Sequence, residues 1–211
     1  NKFQLLKTLE EHTSSVNSAS YSPDGTKIVS ASDDKTIKIW DINTGECLQT
    51  LKGHTWDIYS ASYSPDGRKI TSASLDGIVK IWDVNTGKCL QTFNEHNYGG
   101  NSSSYSPDRT KIVSASDDNS IKIWDANKGI CLQTLKGHTD DVNSVSYSPD
   151  GTKIISASND NTIKIWDANT GKCLKTLEGH SDNVNSISFS PNGKYIVSAS
   201  EDETIKIWGE E

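Results

Sequence analysis

Short runs in which apolar and polar residues alternate recur along the whole chain: KIVSAS (27–32), TIKIW (36–40), CLQTL (47–51), KIISAS (153–158) and VNSISF (184–189) are examples. Alternation with period two, rich in β-branched residues, predicts half-buried strands, and no segment carries a helical period. The breaks between runs are turn-forming. SPDGT (148–152) is a Pro-Asp-Gly turn, NDN (159–161) joins two runs as a hairpin, and DANTGKC (167–173) is a further turn before the next run.

The pattern repeats. His12, His54, His96, His138 and His180 are spaced by 42 residues, as are Trp40, Trp82, Trp124, Trp166 and Trp208, and Pro23, Pro65, Pro107, Pro149 and Pro191. Each unit is predicted to hold four short strands. One such sheet has two apolar faces and cannot bury both alone. Neighbouring units must stack face to face, and closing the stack gives a β-propeller. The expected organisation is a single all-β domain over 1–211, with repeats at about 10–51, 52–93, 94–135, 136–177 and 178–208 plus 3–9.

Gly-His, then SPDG, then SASxD, then IKIWD, in five copies at this period, resembles the WD-repeat (WD40) family. The resemblance implies five four-stranded blades whose strands a to d run from channel to rim. FQLLKTL (3–9) aligns with a strand d and TIKIW (204–208) with a strand c, so the N-terminal strand is expected to complete the last blade, and the termini leave open a closed five-blade monomer, a piece of a larger ring, or a ring shared between chains. Cys47, Cys89, Cys131 and Cys173 share one place on strand d. Equivalent places on different blades are too far apart to bridge, so reduced, partly buried thiols are expected, which suits a cytoplasmic location.

Each unit also holds Ser, His and Asp, as in His138, Ser156 and Asp160. A hydrolase triad uses these residue types. Five copies of a nucleophile argue against that reading. In the family the matching residues, with the Trp six places after the Asp, form a structural hydrogen-bond tetrad, and a buried polar network of this kind rigidifies a blade when every member has a partner. No nucleotide-binding glycine motif or zinc-protease motif occurs. No enzymatic activity, metal or cofactor is therefore expected.

Shared residues build such a scaffold, and function is expected where exposed positions diverge. The connections d–a and b–c form one rim, called the top; the a–b and c–d turns form the bottom, where the copies look interchangeable. Members of the family commonly bind peptides or domains on the top face through the residue before the tetrad Asp and those three and five after the His. Here these positions are small and polar in four copies, whereas copy two holds Asp57, Tyr59 and Leu75 with Trp56 beside them. Exposed aromatics beside an apolar residue are typical binding anchors. Asp33, Asp117, Asp141 and Glu201 add an acidic rim, and Tyr98 of copy three stands at the place of Trp56. The expected function is a non-catalytic scaffold for a protein or peptide with a basic segment. Copy three departs differently: Gly100 and Ser103 replace apolar residues, which should weaken its strand a, and Glu95 replaces a Gly.

Composition narrows the alternatives. Hydrophobic residues are 33% and the net charge is −7, which disfavours nucleic acid, and no apolar run approaches membrane-spanning length. A lectin-like propeller would want an aromatic platform in every blade, but the non-periodic aromatics concentrate in copy two. A channel enzyme lacks a convergent acid–base set.

Overall fold

Each repeat folds into an antiparallel meander, as its alternating runs and tight turns dictate. In the computed structural model, which describes residues 4–94 and 96–209, blade one comprises β1 (Val16–Tyr21), β2 (Lys27–Ser32), β3 (Thr36–Asp41) and β4 (Cys47–Lys52). Blade two follows with β5 (Ile58–Tyr63), β6 (Lys69–Ser74), β7 (Val79–Asp83) and β8 (Cys89–Phe93). Blade three has β9 (Gly100–Tyr105), β10 (Lys111–Ser116), β11 (Ser120–Asp125) and β12 (Cys131–Lys136). Blade four has β13 (Val142–Tyr147), β14 (Lys153–Ser158), β15 (Ile163–Asp167) and β16 (Cys173–Leu177). Blade five has β17 (Val184–Phe189), β18 (Tyr195–Ser200) and β19 (Ile205–Gly209). In every sheet the strands pair in chain order.

The first strands of successive blades pack on one another, which places strand a innermost. The core lies between blades. At the junction of blades three and four, Val113, Ala115, Ile121, Ile123 and Leu135 of one sheet face Val142, Val145, Tyr147, Ile154 and Trp166 of the next. Burying both faces of a sheet this way is the main stabilisation a propeller has.

The last sheet has three strands, as closure by the N-terminal segment requires. Among the described residues, however, 4–10 carry no strand and make no pairing with β19. They lie against blade one instead, where the Lys7 ammonium donates to the carbonyls of Ile42 and Asn43. Junction packing sets the turn from blade to blade, and four such turns leave blade five short of blade one. Val16 and Tyr21 at one end of the arc, and Ile205 and Ile207 at the other, are exposed. Phe3, the first residue of the expected strand, and Glu95 lie outside the described residues.

Strand a of blade three forms in full despite Gly100 and Ser103, pairing with β10 from Tyr105↔Ile112 to Gly100↔Ser116. The loss of apolar residues is offset from blade two. Thr71 stands where other copies have Val or Ile, and its hydroxyl donates to Ser103 Oγ at 3.1 Å in a buried contact. A buried hydroxyl pair is tolerated when each partner satisfies the other.

Candidate functional site

The tetrad appears in all five blades. In blade four, Trp166 Nε1 donates to Ser156 Oγ at 2.9 Å, Ser156 Oγ lies 2.7 Å from His138 Nε2, and His138 Nδ1 lies 2.8 Å from Asp160 Oδ2. The chain of bonds fixes the proton positions. Ser Oγ accepts from the indole, so its own hydrogen goes to Nε2, and the imidazole donates from Nδ1 to the carboxylate. The serine is thus aimed at a histidine that is itself locked between two buried partners. Asp160 also accepts from the backbone N–H of Thr139 and Thr162 and from the Thr162 hydroxyl. Burial alone would raise the pKa of these acids, but the hydrogen bonds outweigh it; Asp34 and Asp76 are held at about 2.

The hydroxyl two places after the tetrad Asp was not singled out from sequence. Thr36, Ser120, Thr162 and Thr204 each donate to the acid, and copy two has Ile78 there. Recurrence of Thr or Ser at one position in four copies was the available signal. A second such position is the Asn five after the His. Asn17, Asn101 and Asn143 each donate to the residue before the tetrad Asp of their own blade and to the first carbonyl of the next blade, Ile58, Val142 and Val184 respectively.

These clamps define the top face. The backbone ties the two top connections together in every blade, with Leu75 N–H on the Asp57 carbonyl and Asp117 N–H on that of Gly99. Asp33 and Asp117, read as open rim acids, are half-buried acceptors of the Asn clamps. In copy two both partners change, and Tyr59 and Leu75 replace the clamp. Leu75 needs room, and Gly99 supplies it. A Cβ at Gly99 would stand 2.7 Å from Leu75 Cδ1 and 2.8 Å from Asp117 Oδ2. Other copies have Ser, Asp or Asn at that position.

Tyr59 is half-buried in the middle of the acids. Burial raises its phenol pKa, and the charges of Asp57, Asp117 and Asp33 raise it further. Those three carboxylates come from blades two, three and one. Asp141 extends the band: burial, and then repulsion from Asp117 and Asp140, raises its pKa. Glu201 stands at the far end, accepting from Asn183 and Asn185 of its own blade. Trp56 is 57% exposed, and the Lys35 ammonium of blade one sits 5.5 Å from its ring centroid. Tyr98 is 67% exposed on the adjacent link, whose backbone presses on the hairpin turn of blade two at Gly77. Copy two therefore presents Trp56 outward and Tyr59 and Leu75 partly sunk, with Asp33, Asp57 and Asp117 around Tyr59.

Among the described residues no group of three or more His, Cys, Asp or Glu is placed to hold a metal, and no helix is long and apolar enough to cross a membrane.

Residues 99–211 match the family model described as IFT122 first beta-propeller, and residues 3–41 and 45–83 match WD domain, G-beta repeat. Periodic tryptophan protein 2 of Saccharomyces cerevisiae is 56% identical over 36 residues, 17% of this chain and 4% of its own length. Vegetative incompatibility protein HET-E-1 of Podospora anserina is 59% identical over 39 residues, 18% of this chain and 3% of its own. A ribosome biogenesis protein BOP1 homolog of Drosophila grimshawi is 61% identical over 36 residues, 17% and 5% respectively. The matches thus cover only a small part of these relatives.

Proposed function

The chain belongs to the WD-repeat β-propeller family, and from that premise we propose that it is a non-catalytic interaction module whose top face binds a protein segment at copy two. A protein-interaction scaffold fits the family. The observation that carries the finer reading is Tyr59, half-buried among Asp33, Asp57 and Asp117 from three different blades. Its sister positions hold Asn clamps, so the aromatic is not required by the scaffold.

The chemistry favours a ligand that is cationic with one apolar residue. The acids set a negative field, which speeds encounter with a basic segment and weakens with salt. Trp56 already carries an ammonium on its face, from Lys35, and a partner Lys or Arg would use the same attraction. Leu75, with Gly99 below it, gives the apolar residue a seat, and Tyr98 bounds the site on the side of blade three.

The test is an array of short Lys/Arg-rich peptides, each with a single aromatic or aliphatic residue, followed by titration of the best binder. Tyr59→Ala is expected to weaken binding by on the order of 2 kcal/mol, about thirtyfold, with little effect on folding. Leu75→Asp should weaken it comparably. The control is Asn143→Ala in blade four; equal loss there would move the site off copy two.

A further inference from the structure

We propose, building on the copy-two site above, that Lys35 is an internal stand-in for the ligand's cation: its ammonium covers Trp56 in the free protein, and a basic segment docking on copy two displaces it.

The first observation is that the backbone does not ask for a lysine at this place. Lys35 ends the hairpin turn between β2 and β3, where every copy is left-handed: φ is 65° at Lys35, 61° at Asn119, 67° at Asn161, 65° at Glu203 and 74° at Gly77. Gly and Asn accept this conformation most readily, and three copies use them. What Lys35 has instead is Trp56. Its Nζ lies 5.5 Å from the indole centroid, and among the described residues it makes no ion pair, although Asp33 and Asp34 precede it.

The second observation is the matching across the junction. The two places meet wherever one blade follows another: at the next junction they hold Gly77 and Tyr98, and a Cβ on Gly77 would stand 3.1 Å from the Tyr98 carbonyl. Further on they hold Asn119 with Asp140 and Asn161 with Asp182. Within these four pairs, a cation faces an aromatic ring between blades one and two alone. Both members of that pair depart from their sister copies, and they do so together.

The third observation is that the contact can open without disturbing the blades. The Lys35 N–H donates to the Ser32 carbonyl at 3.2 Å, and the Trp56 carbonyl accepts from Ser74 Oγ at 3.2 Å. Asn17 already joins blade one to blade two, donating to Asp33 and to the Ile58 carbonyl. Only the Lys35 side chain has to move. It is exposed and Trp56 is 57% exposed, so the attraction favours the covered state by only about two- to fivefold. A segment that also gains contacts at Tyr59 and Leu75 overcomes such a preference. Until it arrives, the ammonium shields the indole face.

The test is proton NMR on the whole chain, with carbon-13 in the lysines. In the free protein the Lys35 ε-methylene protons are expected upfield of those of other lysines, because they lie over the ring, and Trp56→Ala should abolish that displacement. Titration with tetramethylammonium, and separately with the best basic peptide, should return them to the ordinary position. Lys35→Asn, the residue of copies three and four, should keep the fold and bind either cation about two- to fivefold more tightly. Lys35 protons that stay upfield while the peptide binds, or no tightening in Lys35→Asn, overturn the proposal and leave the copy-two site standing. A Lys35 signal that neither cation moves overturns it as well. Displacement by tetramethylammonium where no basic peptide binds upholds the stand-in and removes the peptide reading.

Discussion

The junction between blades two and three and the junction between blades three and four use the same backbone positions with opposite chemistry. At the second, Val113 and Val145 belong to one apolar cluster. At the first, Thr71 and Ser103 hold those places and share a hydrogen bond. Two further links are confined to the first: Leu75 fits over Gly99, and Arg109 on the bottom of blade three reaches Asp66 of blade two at 2.9 Å. Viewed copy by copy, Thr71, Leu75, Gly99, Ser103 and Arg109 are scattered departures from a repeat, while Asp66 is the residue that copies one, three and four also carry. Viewed by junction, they are three matched pairs. The divergence of copy three, which looks like damage in isolation, is the counterpart of the divergence of copy two.

The strongest way to break this pairing is Gly99→Asp, which installs the residue of copies two and four. The new Cβ meets Leu75 and brings a carboxylate beside Asp117, so a loss of about 2–3 kcal/mol is expected in chemical denaturation. Leu75→Asn in the same chain should recover most of it. Equal losses with and without the second change would mean that Gly99 answers to something other than Leu75.

A smaller effect comes from exchanging the chemistries. Ser103→Val strands the Thr71 hydroxyl and should cost about 1–2 kcal/mol, while Thr71→Val together with Ser103→Val should return to within about 1 kcal/mol of the original. Val145→Ser, which makes the apolar junction half polar, should cost about 2 kcal/mol with no partner to offset it. A double-mutant cycle on Thr71 and Ser103 reads the coupling directly; a coupling near zero would reduce the pair to coincidence.

Arg109→Gly is expected to change least, within about 0.5 kcal/mol, because the ion pair is exposed and the left-handed backbone at Arg109 (φ 66°) suits glycine. Asp66 is held at about 2, first by the Ser64 hydroxyl and only later by Arg109. A carboxylate whose folded pKa is depressed stabilises the fold above its unfolded value near 4 and loses that contribution as pH falls to about 2. Since Ser64 remains, Arg109→Gly should leave the acid-unfolding midpoint nearly unchanged. A large shift would make the bottom link a structural one.

Much of this was legible in the sequence. The spacing of His, Trp and Pro gave the blades, and the Ser, His, Asp and Trp of each repeat gave the tetrad, because repetition exposes any residue that the scaffold needs five times. The same logic makes the Asn17 and Thr36 positions readable, though it takes a column-by-column comparison to notice them. Junction chemistry is harder. Thr71 and Ser103 lie 32 residues apart in different copies, and nothing in either repeat says that they touch until the stacking direction is known. The position of residues 4–10 was harder still. Alignment identifies them as a strand d, but which sheet they join depends on the turn per blade, a sum over side-chain packing that no single repeat contains.

The Thr71–Ser103 pair has a further consequence for how the chain finds its order. Each tetrad closes within a few dozen residues, so individual blades can form early and locally. Sister blades present nearly the same faces, and a blade could then dock on the wrong neighbour, skipping one, with little penalty. Blade two cannot do so without burying a hydroxyl against apolar side chains. One polar contact therefore acts as a place mark in an otherwise degenerate series, and its removal should leave the native arc intact but raise the fraction of molecules trapped out of sequence during refolding.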